Sequence, residues 1–338
     1  MKEVSPGIFL IKEKGSIKLR KPPVNIYIIS GEQDGLIFDA GYGDKKTIKY
    51  VIKEIEKIKA LYTSQNKNFK LKKVLPSHTH PDHFSGLYLL RKYVGLDIIL
   101  TKKMAEVIKN KKVYRQFREP DLLEDLYLIV PFMGRIKSKI LDFFHWILYK
   151  WAFGIKFLDN PDEIIEENTD ISVNNENWKV IHLPGHAVDH IALYNEKRGI
   201  LLSGDHIIKN VTTWLGPPNS NIKSYLDSLE IKIKNLPVLK LILPAHGRPI
   251  KNPIRRVEEI ILHRKERTQQ LISIINDKGE NGITPTQIIQ ILYPQGAKII
   301  NRIGRGWVCL TLRMLEEENR VTHIQCKKKI KFYPANKI

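Results

Sequence analysis

The sequence is poor in cysteine. It has only Cys309 and Cys326 in 338 residues, which excludes a disulfide framework and makes a reducing compartment, the cytosol, the expectation. The opening MKEVSPGIFL lacks the apolar core of a secretory signal, so secretion is not expected. No long apolar run goes uninterrupted. Residues 140–158 approach span length, but Asp142, His145, Lys150 and Lys156 break them, which disfavours a membrane-spanning helix. Acidic residues are the scarcer charge, 36 against 56 Lys and Arg, for a net charge of +20. Such an excess attracts nucleic acid, anionic membrane or acidic metabolites. The chain is also rich in Lys, Ile and Asn, as AT-rich coding would make it, so charge alone identifies no partner. What remains is an ordinary globular composition, 42% hydrophobic and 27% charged, long enough for a large domain and a small one.

Short β-branched and aromatic runs between turns over residues 4–40 read as a meander or hairpin. From Asp44 to about Leu61, Ile48, Val51, Ile52, Ile55 and Ile58 recur at helical spacing, predicting an amphipathic helix. Further strand signals, KKVLPS, DIILTK, DISVNNENWKVIHLPGH, HIALYNEKRGILLSGDH and LKLILPAHG, mostly end in loops that carry His or Asp. An α/β sandwich that delivers polar side chains to one sheet edge would produce this recurrence. Residues 109–158 break the pattern with a helical, aromatic-rich stretch that reads as an inserted cap. Its aromatic residues suit a pocket for an apolar substrate, the packing core of a helical hairpin, or peripheral membrane contact through 140–158. Beyond 250 three helices and a hairpin are predicted, with Thr284, Pro285 and Gln287 as a capping box. Residues 251–338 carry 17 Lys and Arg against 8 Asp and Glu, and the pattern has the shape of a winged helix. Such units bind DNA or serve only for packing or dimerisation. The expected organisation is a catalytic domain over 1–250 and a winged-helix-like domain over 251–338.

The loop His78-Thr79-His80-Pro81-Asp82-His83 puts three imidazoles and a carboxylate within six residues, beside a proline where no regular helix is expected. One ion cannot take them all comfortably, whereas two neighbouring divalent ions can. His186 in LPGH, Asp205 in SGDH and His246 in PAHG follow apolar strands in the same way, giving seven candidate ligands at strand ends.

The set HTHPDH, PGH, SGD and PAHG resembles the metallo-β-lactamase superfamily over roughly residues 4–250. The resemblance implies an αββα sandwich with His78, His80 and His186 on a first metal, Asp82, His83 and His246 on a second, and Asp205 bridging them. His80 stands where the diiron flavoproteins of that superfamily have Glu, which argues against redox chemistry. Five imidazoles and two carboxylates suit zinc, with manganese and iron as the other candidates. The tail is similar to the branch that carries a C-terminal winged helix, which includes a mitochondrial endoribonuclease acting on single-stranded RNA. The 109–158 insertion departs from the compact ribonuclease pattern.

Two metals sharing a hydroxide would hydrolyse a carbonyl or phosphoryl centre, with Asp82 orienting the nucleophile or moving its proton. Asp189, His190 and His206 stand beside the ligands as supporting candidates. Ser77 and Ser203 are candidate donors to the ligands, and Trp214 with the turn at 216–218 is a candidate pocket wall. His145, His182, His263 and His323 are expected to be structural, and Cys309 and Cys326 are expected to be packing residues. Three functions follow: hydrolysis of a small acyl substrate (ester, thioester or lactone), cleavage of single-stranded RNA, or a nucleic-acid-binding regulatory module with a vestigial site. Oligomeric state is not legible.

Overall fold

The computed structural model describes residues 1–19, 21–118, 127, 146–294, 298–326 and 329–335; much of the 109–158 segment thus lies outside the described residues. Fourteen strands are present among them: β1 Lys2–Ser5, β2 Ile8–Glu13, β3 Val24–Ile29, β4 Gly35–Phe38, β5 Leu71–Leu75, β6 Asp97–Thr101, β7 Glu163–Ile165, β8 Asp170–Val173, β9 Glu176–His182, β10 Ile191–Asn195, β11 Ile200–Gly204, β12 Leu241–Pro244, β13 Val321–Cys326 and β14 Lys329–Pro334. The first seven form one sheet in sequence order, and a second sheet runs β12-β11-β10-β9-β8. β1 to β4 pair antiparallel and β4 to β7 parallel. In the second sheet only β11 and β12 are parallel.

Strands β10 and β11 are buried throughout, and apolar except for Asn195 and Ser203 near their ends, because each of their faces is covered. Ile191, Leu193, Ile200 and Leu202 share one core with the first sheet. Their neighbours Ala192, Tyr194 and Leu201 face a second core with the C-terminal helices. The two-residue period sorts these side chains onto opposite faces. The first sheet is backed by the Lys45–Ser64 helix, which buries Ile48, Val51, Ile55 and Ile58. Asp44 caps that helix: its side chain accepts from the Lys46 and Thr47 amides and pairs with the buried Lys21 ammonium at 2.5 Å.

Proline does not exclude a helix after His80. Residues Pro81–Phe84 form one short turn with Pro81 at its first position, where the missing N–H would have had no intrahelical partner. The C-terminal region comprises helices Pro253–Lys278, Pro285–Leu292 and Lys298–Glu317, then the β13–β14 hairpin. A lone backbone bridge between Ile283 and Phe332 ties the start of the middle helix to the hairpin. Thr284 and Gln287 cap each other reciprocally at that start. Among the described residues no helix is long and apolar enough to cross a membrane.

Candidate metal centre

The edge of the sandwich where β4, β5, β11 and β12 end collects the polar loops. Short hydrogen bonds join the two sheets there, Ile191 N to Ser77 O at 2.8 Å and Asn25 N to Ala245 O at 2.7 Å, while Ala245 N to Gly204 O at 2.9 Å ties the ends of β11 and β12 within the second sheet. Gly204 has a φ of +51°, and a Cβ there would lie 2.6 Å from His190 Nε2 and 2.7 Å from Ser77 Cβ. Only glycine lets β11 turn so close to the ligand loop.

All seven candidate ligands converge on this edge. His78, His80, His186 and Asp205 form one group and Asp82, His83 and His246 another, with the ligand atoms of each group within 4.8 Å of one another. Asp205 faces both: Oδ2 is 3.5 Å from His186 Nε2, while Oδ1 is 3.2 Å from His246 Nε2 and 3.6 Å from His83 Nε2. The His78 and His80 ring centroids are 4.3 Å apart, and those of His78 and His83 are 4.2 Å apart. Such crowding of imidazoles without a hydrophobic reason is what a cation resolves.

The outer ring nitrogens have protein partners that fix which nitrogen faces inward. His186 Nδ1 meets Trp214 O at 2.8 Å, His246 Nδ1 meets Pro23 O at 2.6 Å, and His78 Nδ1 meets Ser77 Oγ at 2.9 Å. By contrast His78 Nε2, His83 Nε2 and Asp205 Oδ1 are buried without hydrogen-bond partners among the described residues. Buried polar atoms left so are costly, and these are the atoms a metal would take. The donor set fits divalent ions.

Charge divides the two groups. Burial among other imidazoles holds His78 well below the ordinary histidine pKa. Burial opposes a charge on His83 as well, yet Asp39, Asp82 and Asp205 outweigh it and raise the pKa well above that value. His246 is raised in the same way by Asp205 and Asp82. Asp205 and Asp82 are lowered despite burial, by His246 and His83.

The supporting residues separate. His190 Nε2 accepts from the Asp205 amide at 3.1 Å, and Asp189 Oδ2 accepts from the Thr79 amide at 2.9 Å, so both brace ligand loops. His206 is fully buried between Tyr225 and His190, its ring centroid 4.6 Å from that of Tyr225, and does not line the cavity. Burial lowers its pKa to about 3. Ser203 bonds Ile207 O rather than a ligand. His182 bonds Val188 O and Glu167. His263 and His323 lie outside the cluster, Cys309 is buried, and His145 and the Cys326 side chain lie outside the described residues.

Asp39 escaped the sequence reading. It is fully buried with a φ of 68°, accepts from the Ser77 amide at 2.7 Å and lies 3.1 Å from His83 Nδ1. Its signal was present, an apolar strand ending in Asp-Ala-Gly, the same strand-end context as the ligands.

A cavity of about 600 Å³ opens over the cluster, with His80, Asp82, His186, Asp205 and His246 in its floor and Trp214 in its wall. Tyr149, from the described helix over 146–153, also lines it.

Residues 19–246 match the model of the metallo-beta-lactamase superfamily, and the chain belongs to that superfamily. It is 23% identical over 291 residues to a beta-lactamase-like protein 2 homolog of Caenorhabditis elegans, covering 86% of this chain and 78% of that one. It is 22% identical over 249 residues to the acyl-coenzyme A thioesterase MBLAC2 of Bos taurus, covering 72% and 80%. Among solved structures, a metallo-beta-lactamase family protein from Thermus thermophilus superposes with a TM-score of 0.68 at 21% identity, covering 98% of this chain and all of the other. That likeness extends the shared fold through the C-terminal helices. Members of the superfamily are generally hydrolases, and the His/Asp cluster marks this chain as a candidate metal-dependent one.

Proposed function

We propose that the protein hydrolyses the carbonyl of a small acyl substrate, a thioester first and an ester or lactone by extension, at a centre of two divalent ions. One observation carries this reading: the two oxygens of Asp205 face two separate ligand groups at the floor of one cavity. His78, His80 and His186 would hold one ion, Asp82, His83 and His246 the other, and Asp205 both. Zinc suits five imidazoles and two carboxylates best. Divalent ions in such sites polarise a carbonyl oxygen and make water acidic enough to be a nucleophile near neutral pH.

The chain's own residues do the rest. Ser77, Asp39, His190 and the carbonyls of Trp214 and Pro23 hold the ligands in place. Asp82 lines the cavity, and its carboxylate takes the proton of the attacking water. The water oxygen bonds to the acyl carbon, the C–S bond breaks with its electron pair on sulfur, and the proton passes from Asp82 to the leaving thiolate. Trp214 and, from the proposed cap, Tyr149 provide an apolar wall for the acyl chain. The C-terminal helices and hairpin are proposed as a winged helix that serves as packing support, and the cytosol as the compartment.

The test is hydrolysis of acyl thioesters, with metal content measured on the same preparation. Wild type should turn over and Asp82→Asn should lose roughly 10²–10⁴-fold in kcat, the usual scale of a positioned acid-base group. Turnover unchanged in Asp82→Asn, or no turnover with both ions bound, sinks the proposal. A second reading, ribonuclease action, is favoured by a cleft of net positive charge, lined by Lys209, Lys251, Arg255 and Arg256 with Glu259 paired to both arginines, which shares Lys209 and Asn210 with the metal cavity. Cleavage of single-stranded RNA that falls steeply with salt would support it.

A further inference from the structure

The loop 212–215 has two occupied sides. One faces the metal cavity; the other, with the C-terminal helices, encloses a cleft of about 260 Å³. Thr212, Thr213 and Trp214 line both. The far wall of the cleft is cationic and aromatic: His263, Arg264, Arg267, Tyr293 and Trp307, with no carboxylate among the lining residues. The Arg267 guanidinium lies 4.9 Å from the Trp307 ring centroid and 5.1 Å from that of Tyr293, and it bonds to Gln270 and to the Tyr293 hydroxyl. Trp307 Nε1 also donates to that hydroxyl at 3.2 Å. These contacts set the guanidinium plane in advance, as anion-binding arginines require. Arg264 is only 6% exposed, donates to Thr213 O at 2.6 Å, and keeps a buried Nε without a hydrogen-bond partner among the described residues. A buried cation without an acidic partner is costly unless an anion is meant to approach. Gly304 makes room for the cleft, since a Cβ there would lie 2.9 Å from the Tyr293 ring.

We propose that this cleft binds the phosphate-bearing part of the substrate, so that the acyl group hydrolysed at the metal centre arrives on a phosphorylated, nucleotide-like carrier. Arg267 and Arg264 meet the phosphate, and the rings of Trp307, Tyr293 and Trp214 offer faces for a planar base. Thr212, Thr213 and Trp214 border both spaces, so a molecule that reaches over this loop would place its acyl end in one and its carrier in the other. Because His186 Nδ1 is held by the Trp214 carbonyl, the loop that touches the carrier also positions a candidate ligand. This inference rests on the acyl-hydrolase reading for its substrate but not for its binding site.

The experiment has two arms. In the first, adenosine 3′,5′-bisphosphate is titrated into the full-length protein while tryptophan fluorescence is followed. Saturable quenching is expected, with Kd raised at least tenfold in Arg267→Gln and raised also in His263→Ala, an exposed position that does not threaten folding. In the second, the zinc-loaded enzyme is given one acyl group on coenzyme A and on N-acetylcysteamine. The ratio of kcat/KM between the two carriers should fall at least tenfold in Arg267→Gln. A ratio that does not move, or bisphosphate binding that neither variant weakens, overturns the carrier site. Tighter binding of oligoadenylate than of the bisphosphate overturns it too and assigns the cleft to RNA. If neither thioester is turned over but the bisphosphate binds as expected, the acyl-hydrolase reading fails while the cleft stands.

Discussion

Asp39 joins the amide of Ser77 to the ring of His83, and so couples the strand β5 exit to a candidate ligand. Replacing it by Ala removes the carboxylate beside His83 Nδ1 and leaves only the longer 3.3 Å contact with Ser77 Oγ on that side of the ring. The expected result is a 10–100-fold loss of metal affinity, the usual cost of removing such a support, measured by chelator competition. Protons give a second prediction at this scale. Asp39, Asp82 and Asp205 around His83, and Asp205 and Asp82 beside His246, raise both rings well above the ordinary histidine range and so favour their protonated forms in the metal-free protein. Metal ligation requires them deprotonated, so zinc binding at pH 7 should release protons, measurable by calorimetry in buffers of different ionisation enthalpy. The release should diminish as pH climbs through the raised values. Zinc binding with no proton release at pH 7 would contradict this account of the centre.

Each helix or strand contributes by where it ends. The Lys45–Ser64 helix begins at Asp44, whose carboxylate serves both as cap and as partner of buried Lys21. Asp44→Ala should cost about 2 kcal/mol, the upper end for a lost N-cap, because the Lys21 ammonium is left without its partner; urea unfolding checks it. The Asp44 pKa is lowered: burial pushes it up, and Lys21 and the Thr47 bonds more than reverse that. Its contribution is therefore present above the ordinary aspartate value and is lost as pH falls through the depressed one, so wild type and Asp44→Ala should converge in stability in acid. The convergence of the candidate ligand loops was legible from sequence because each follows an apolar strand and carries His or Asp. The Lys45–Ser64 helix and the Thr284 capping box were legible because their signals are local. The turn at Pro81–Phe84 was not, since the rule applied there was the aversion of the residue before proline to helix, whereas His80 stands outside the turn as its extended cap residue. Nor were the roles of Asp39 and Tyr149, which depend on His83 and on the metal cavity rather than on sequence neighbours.

Across the whole molecule, the second core runs without interruption from Tyr194, Leu201 and Ile242 of the second sheet to Ile288, Leu312 and Phe332 of the C-terminal region. A chain cut after residue 250 would bare the apolar side chains of that core, among them those of residues 222–233, on which the C-terminal helices pack. It is expected to aggregate, and the full chain should unfold in a single calorimetric transition; two separated transitions with a soluble 1–250 fragment would show instead that the regions are independent.

The Asn25 side chain, which bonds the Pro244 carbonyl across 219 positions of sequence, also bears on biosynthesis. The candidate centre draws on loops from Asp39 to His246, so its last member leaves the ribosome after most of the chain. Contacts so distant along the chain close late and slowly. A nascent chain that still lacks β12 has His78, His80 and His83 but neither His246 nor the register that Asn25 imposes, and ions it captures are held by a partial set. Metal supplied after release should therefore be retained more fully than metal present throughout synthesis.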